Sequence, residues 1–431
     1  VGAREAFDVV VVGGGPGGAV AAAELAKKGR RVLVLEREVF PRFHLGESLL
    51  PESLIILDAL GLLPEMDRRF LRKPGAQFHD SYSDRTARFD FADAFTPKFP
   101  YAYQVQRDEF DAMLLAHAAT QGAEVRHRWT VTRIRFDGSR AVGVDATSAE
   151  GEACAIDAQV VIDATGRDAL SARAMRTTER LGSLDTTALY SAWRGAYREK
   201  GARAGDFHLV LLGDLEGDPR SAPPMGWFWF IPFKDGTTSV GVAASRAWIR
   251  RHPGEGPQAL HLRAIAESKV ATRFLAGAEQ LWPARATADF SFRVKDLTGD
   301  GWLAVGDAGG FIDPLFSTGA HMAMYGGFHA ADAVDAALTA GDVSRARFQP
   351  WEDSLRAGAE VFLNIVQSFY DGVLSRLIFA DKPHPYMRHV ITSLLAGNVF
   401  DTSSRWLDDA RTRMSRPALA RMLASSTPTD S

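Results

Sequence analysis

Gly13, Gly15 and Gly18 stand in G-x-G-x-x-G spacing within FDVVVVGGGPGGAVAAAELAKKGRRVLVLERE, which runs on through Glu36. The first glycine of such a set makes a tight turn, the second lets backbone approach a pyrophosphate, and the third lets a helix pack closely on a strand. The amides at the start of that helix then face phosphate groups, and an acid about twenty residues on can accept hydrogen bonds from an adenosine ribose. Together the four residues point to dinucleotide binding. A second constellation is GWFWFIPF, residues 226–233, where two tryptophans alternate with two phenylalanines in a chain holding only 9 Trp. On a strand, Trp227 and Trp229 share one face and Phe228 and Phe230 the other, which suits a sheet buried on both sides. Core packing is the plainer reading of these rings, and a functional reading needs the rest of the chain.

The glycine cluster requires a β-α-β unit: a strand at residues 8–12, an amphipathic helix at about 19–28 and a second strand at 31–35 ending at Glu36. This stretch is not expected to be a leader or a membrane span. Asp8 and the glycines interrupt it, Lys27 and Lys28 follow, and no run approaches the roughly 18 apolar residues of a span.

The chain has 431 residues, 46% hydrophobic and 24% charged, with a formal net charge of -3. These values suit a soluble globular protein of two or three lobes and give no global drive toward nucleic acid or anionic membrane. Cys154 is the single cysteine. It excludes an internal disulfide framework and a multi-cysteine metal site, and it suits a reducing, cytoplasmic setting. His384 and His389 lack metal-ligand spacing with carboxylates, so no metal is expected.

The glycine fingerprint alone does not separate FAD from NAD. TGDGWLAVGDAGGFIDP, residues 298–314, resembles the second FAD motif of flavoprotein monooxygenases and glutathione-reductase-like proteins, whose aspartate binds the ribityl chain; Asp307 takes that role by resemblance. VVIDATGR at 160–167 resembles their strand near the adenosine, and YQVQRDEFDAMLLAHA at 103–118 resembles their arginine-headed helix, which makes Arg107 an FAD contact. GWFWFIP then matches the G-W-x-W-x-I-P motif that marks flavin-dependent halogenases, with Gly226, Trp227, Trp229, Ile231 and Pro232 all in place. FPRFHLGESLLP (40–51) looks like that family's segment beside the flavin, IDPLFSTGAHMA (312–323) like its loop under the isoalloxazine, and KPGAQF (73–78) like its lysine and small-residue turn. On these motifs, spread over nearly the whole chain, the sequence resembles the flavin-dependent halogenase family.

The resemblance implies that reduced FAD reacts with O2 to give a C4a-hydroperoxide, that chloride or bromide attacks it, and that hypohalous acid reaches a lysine near an electron-rich aromatic substrate. Lys73 is the catalytic candidate by carry-over. A lysine suits the task, because its ammonium can donate a hydrogen bond to hypohalite and its amine, if burial lowers the pKa, can form a haloamine. The alternative is a solvated lysine in the loop after DRRFLRK. Ser317, Thr318 and Gly319 would contact the flavin, with amides at a loop-to-helix transition that can hold a halide at Thr318 and Gly319. Trp227 and Trp229 would wall the flavin from the substrate. Phe316 stands where tryptophan halogenases carry a glutamate, which favours the phenol, pyrrole and carrier-bound branch. Phe316 and His321 would line the substrate pocket, although His321 could equally serve packing. Glu47 and Ser48 are expected to cap the helix that follows them.

The implied fold is α/β: a glutathione-reductase-like FAD-binding Rossmann domain from 1–85, 100–175 and 296–345, an antiparallel-sheet substrate domain from 86–99 and 176–295, and a C-terminal helical region, 346–431, that shapes the pocket. The turn signals GDLEGDPRSAPP and FKDGT separate strands of the second domain, and ASSTPTDS reads as a loose tail. Without a second Rossmann fingerprint, the reductant is either a transiently bound NAD(P)H or a separate flavin reductase. Two further readings stay open: a halogenase-like monooxygenase that hydroxylates an aromatic ring, including a Trp or Tyr side chain of a peptide or protein, and, with less support, a lipid-saturating reductase of the geranylgeranyl type or a non-catalytic FAD-binding protein.

Overall fold

A computed structural model of the protein describes residues 5–81, 85–182, 184–213, 224–288, 290–380, 382, 384–401 and 404–408. The tail 424–431 and most of the turn at 213–224 lie outside the described residues. The chain divides into two compact units, one of Val1–Gly46, Gln106–Leu181 and Ser291–Ala359, the other of Glu47–Val105, Gly182–Phe290 and Glu360–Ser431.

The first unit is built on the strand Ala6–Val12, whose apolar run suits a position covered on both faces. It pairs in parallel with Val32–Glu36 on one side and Ala153–Asp163 on the other. Glu124–His127 and Trp302–Ala304 extend the parallel sheet at its two sides. An antiparallel hairpin, Trp129–Asp137 with Arg140–Ser148, joins the first half of Ala153–Asp163. The helix after the glycine turn spans Pro16–Lys27, earlier than expected, because Pro16 at its first turn already has a helical φ and lacks only an N–H that would go unpaired there. The helix Thr318–Thr339 packs against it at unusually short range: a Cβ added to Gly327 would stand 2.2 Å from the Gly17 carbonyl oxygen.

The second unit carries an eight-stranded sheet in which Gly226–Pro232 is central, antiparallel to Phe207–Leu212 and to Thr237–Ser245. Every residue of Gly226–Pro232 is buried, so the strand is covered on both faces as its alternation implies. Phe228 and Phe230 join a core completed by Leu260, Ile265 and Phe274 from the helices Pro257–Glu267 and Lys269–Phe274. Trp227 and Trp229 occupy the other face. The strand Gly75–His79, expected with the FAD-binding lobe, instead joins this sheet, parallel to Phe207–Leu212 and antiparallel to Thr86–Asp90. Past residue 344 the chain is helical through Arg345–Tyr370, Val373–Ile378 and Pro385–Leu395. Among the described residues, no helix is long and apolar enough to cross a membrane.

Alanine ordinarily gains up to about 1 kcal/mol over glycine inside a helix. At Gly327 the added methyl would meet backbone that cannot yield without parting two helices. Gly327→Ala is expected to lower stability by about 1–3 kcal/mol in urea unfolding; an unchanged or raised midpoint would show that the helices separate at no cost.

Candidate active site

The dinucleotide cradle of the first unit is shaped by what its glycines lack. Gly13 has φ +104, and a Cβ there would lie 2.3 Å from the Ala164 carbonyl oxygen, so the turn is pressed against the end of the strand Ala153–Asp163. A Cβ on Gly18 would lie 2.1 Å from the Gly13 oxygen, which is the close helix packing expected of the third glycine. Gly15 is different: an added Cβ would meet only Arg42 Nη2, at 3.7 Å. Open backbone at a helix N-terminus with a guanidinium beside it suits a diphosphate. Glu36 is buried and holds the turn, accepting from Gly14 N at 2.7 Å and from Glu38 N at 2.8 Å.

Arg107 opens the helix Arg107–Thr120 and is buried. Its guanidinium clasps Asp111 through two bonds of 2.7 and 2.9 Å and donates to Leu45 O at 2.6 Å. Arg42 donates to the same Asp111 carboxylate at 3.0 Å, so one fully buried acid fixes both arginines. Asp307 lies half-buried in the 3-10 turn Gly306–Gly309, after the strand Trp302–Ala304. Burial pushes its carboxyl up to about 6, against the pull of the Arg107 and Arg167 guanidiniums. Ser317, with left-handed φ of 58°, turns the chain into the helix Thr318–Thr339, whose first residues are Thr318 and Gly319. The first turn of a helix has amides without intrahelical acceptors, the donors an anion needs. A Cβ on Gly319 would press to 2.8 Å from the Phe311 ring. Phe316 and His321 are both buried in this unit, and the His321 ring lies 6.3 Å from that of Tyr325. The residues present fit the diphosphate and ribityl ends of FAD.

Lys73 belongs to the second unit and is no solvated loop residue. It ends the strand Leu71–Lys73, which pairs with Ala102–Gln104, and it is 2% exposed. Its Nζ donates to Leu49 O at 3.0 Å and lies 5.2 and 5.5 Å from the ring centres of Phe91 and Phe207. Burial lowers its pKa to about 7, with the Asp206 charge opposing the fall. Asp206 is fully buried and is itself held by Arg88 Nε at 2.8 Å and Gln77 Nε2 at 2.9 Å. Gly205 lets this segment come close, since a Cβ there would lie 1.9 Å from Arg72 O, and Gln104 Nε2 donates to Gly205 O.

Trp227 and Trp229 lie side by side, ring centres 5.7 Å apart. The Trp229 indole crosses its partner on the next strand, Gly241, where an added Cβ would meet Cζ2 at 2.1 Å. Its Nε1 donates to Ser239 Oγ at 3.2 Å, and Trp227 Nε1 donates to Tyr370 Oη at 3.0 Å. Ser239 Oγ in turn donates to Glu47 Oε2 at 3.0 Å. The expected capping role of Glu47 is therefore not what the fold uses: the next helix, Ser53–Ala59, has Glu52 at its N-cap. Phe362 and Phe369, on the helix Arg345–Tyr370, are buried.

Sequence-marked residues thus gather into two groups. Gly13, Gly15, Gly18, Glu36, Arg107, Asp307 and the 316–321 stretch belong to the first unit, and Lys73, Trp227 and Trp229 to the second. Arg42, Gly205, Asp206, Ser239 and Gly241 are not singled out by the sequence. Gly241 alone carried a signal, because glycine inside a strand pattern often marks a close approach. Among the described residues, no group of three or more His, Cys, Asp or Glu could hold a metal ion.

The FAD binding domain family matches residues 6–342. Flavin-dependent halogenase armH5 of Armillaria mellea is 32% identical over 385 residues, 85% of this chain and 71% of that protein. Tryptophan 2-halogenase of Chondromyces crocatus is 31% identical, covering 84% of this chain and 67% of that one. The 1H-pyrrole-2-carbonyl-(peptidyl-carrier protein) brominase of Pseudoalteromonas luteoviolacea is 28% identical over 92% of this chain and 93% of that one. Among solved structures, a flavoprotein/dehydrogenase from Cytophaga hutchinsonii superposes with a TM-score of 0.86 at 29% identity, over 98% of this chain and 100% of that one. With this kinship over most of its length and an FAD-type cradle in its fold, the chain belongs to the flavin-dependent halogenase family of FAD-dependent oxidoreductases.

Proposed function

We propose that the protein halogenates an electron-rich ring, of the phenol or pyrrole class, carried on a carrier protein, and that Lys73 is the residue that delivers the halogen. The observation that carries the role of Lys73 is a desolvated amine among aromatic faces, held by the Leu49 carbonyl. Carrier-borne substrate is supported by similarity to the pyrrole-carrier brominase over 93% of that enzyme's length, and by Phe316 where free-tryptophan enzymes are expected to carry a glutamate. Reducing equivalents come from a flavin reductase or NAD(P)H. The lone Cys154 supports a cytoplasmic setting.

Reduced FAD, when bound, supplies with O2 and halide the oxidising equivalent that leaves as hypohalous acid. The residues of the chain do the rest. The amides of Thr318 and Gly319 hold the halide, as helix N-termini hold anions. Trp227 and Trp229 keep water and the ring away from the oxidation. The Lys73 amine attacks the halogen: an N–X bond forms as the O–X bond breaks, and water leaves with the displaced oxygen and one amine proton. The aromatic carbon then takes the halogen from nitrogen, and the ring proton returns to the amine. An ammonium has no lone pair for the first step, so burial that brings the pKa to about 7 makes the amine available near neutrality.

Mixing reduced, FAD-loaded protein with oxygenated buffer, bromide and an electron-rich phenol is expected to give brominated phenol by mass spectrometry. Hydroxylated phenol without bromine would overturn the reading. Lys73→Met should cut bromination by about 100-fold or more while oxygen consumption continues. In the unaltered protein, bromination should rise with pH through about 7, as Lys73 loses its proton, and that limb should vanish in Lys73→Met. A rate that falls through the same range would assign Lys73 the part of an ammonium donor instead.

A further inference from the structure

One short strap touches both the candidate lysine and the indole wall. Residues 47–49 lie along the strand Ala102–Gln104, with Leu49 N donating to Tyr103 O at 2.9 Å, Val105 N to Glu47 O at 2.7 Å, and a bridge between Ser48 and Gln104. Two links leave this strap within the second unit. The Leu49 carbonyl accepts from Lys73 Nζ at 3.0 Å, and the Glu47 carboxylate accepts from Ser239 Oγ at 3.0 Å, which accepts from Trp229 Nε1 at 3.2 Å. Glu47, Ser239, Trp229 and Lys73 are all buried. A carboxyl kept out of water costs stability unless its bonds offset that cost, and no helix cap accounts for this one.

The indole needs the link. Its χ2 torsion is of the broad, roughly two-fold kind. The ring lies across the Gly241 backbone, where an added Cβ would meet Cζ2 at 2.1 Å and Cη2 at 2.4 Å. The hydrogen bond to Ser239 engages the edge that carries Nε1, and with its own proton given to Glu47 the Ser239 hydroxyl turns a lone pair to the indole.

We propose that Glu47 is a positioning residue: through Ser239 it sets the orientation of Trp229, and through the Leu49 carbonyl the same strap sets Lys73, so that amine and wall keep one register. The proposal rests on the roles given above to Lys73 and the two tryptophans. What it protects is the yield of halogenated ring per O2 consumed.

The test centres on Ser239→Ala, which removes one hydroxyl and no bulk. Yield per O2 should fall about five- to tenfold, the loss that follows from one hydrogen bond, Ser239→Thr should restore it, and Glu47→Ala should behave as Ser239→Ala. In a Trp229→Phe background, which has no indole N–H, Ser239→Ala should change nothing further. The indole 15N–1H resonance of Trp229, assigned by its loss in Trp229→Phe, should move upfield in Ser239→Ala and in Glu47→Ala. A yield within twofold of the unaltered protein, effects of Trp229→Phe and Ser239→Ala that multiply, or an unmoved resonance would each overturn the proposal. Failure of the unaltered protein to halogenate any ring would overturn the functional reading above, a result separable from the resonance.

Discussion

The strand Gly226–Pro232 is buried on both faces, and the second unit is organised around that constraint. With side chains alternating from face to face, a slip of one residue would exchange the phenylalanines that complete the core for the indoles on the opposite side. Both neighbouring strands guard against it. On one side Trp229 lies opposite Gly241, where no other residue leaves room for the ring, and on the other Leu209 stands opposite the same tryptophan. Packing on one side thus secures the geometry of the indole side, with Leu260, Ile265 and Phe274 acting at a distance on Trp227 and Trp229.

Buried charge is handled differently in the two units. In the first, Asp111 neutralises Arg42 and Arg107 together, with bidentate geometry on Arg107, so two cations near the cradle share one anion. Such a set fixes both guanidiniums in place beside the cradle, where planar cations suit a diphosphate. In the second, Asp206 is bonded to Arg88 and Gln77 and acts on Lys73 by its field alone. Had Asp206 paired directly with Lys73, the amine would have been held as a cation. Spending the carboxylate on Arg88 leaves Lys73 free to lose its proton near neutrality.

Legibility in the sequence followed the range of the interactions. The spacing of Gly13, Gly15 and Gly18 is a local pattern, and at Gly18 the constraint is local too, since an added Cβ would meet the Gly13 oxygen, whereas Gly13 is pressed against Ala164, remote in the chain. Two-face burial at Trp227 and Trp229 is likewise written in four consecutive residues. Lys73 could be named only through family resemblance, since DRRFLRK looks like solvated surface; what buries it, Phe91 and Phe207, comes from elsewhere in the sequence. Ser239 and Asp206 carry no local pattern at all. Glu47 shows the cost of local reasoning: a polar residue ahead of a helix suggests a cap, whereas its partner lies 192 residues away. The sheet to which the strand Gly75–His79 belongs is hidden for a similar reason, as its parallel neighbour, Phe207–Leu212, is remote in the chain.

The bond from Trp227 Nε1 to Tyr370 Oη has a bearing on how such enzymes can be recombined. Tyr370 is the last residue of the helix Arg345–Tyr370, at the threshold of the C-terminal segment. A chimaera that takes its C-terminal part from a relative exchanges one end of a bond whose other end is the buried Trp227 indole. The natural splice point is therefore after Tyr370 rather than at the helix start. Placed there, the junction falls at Gly372, a residue in left-handed conformation that already ends one helix and begins the next.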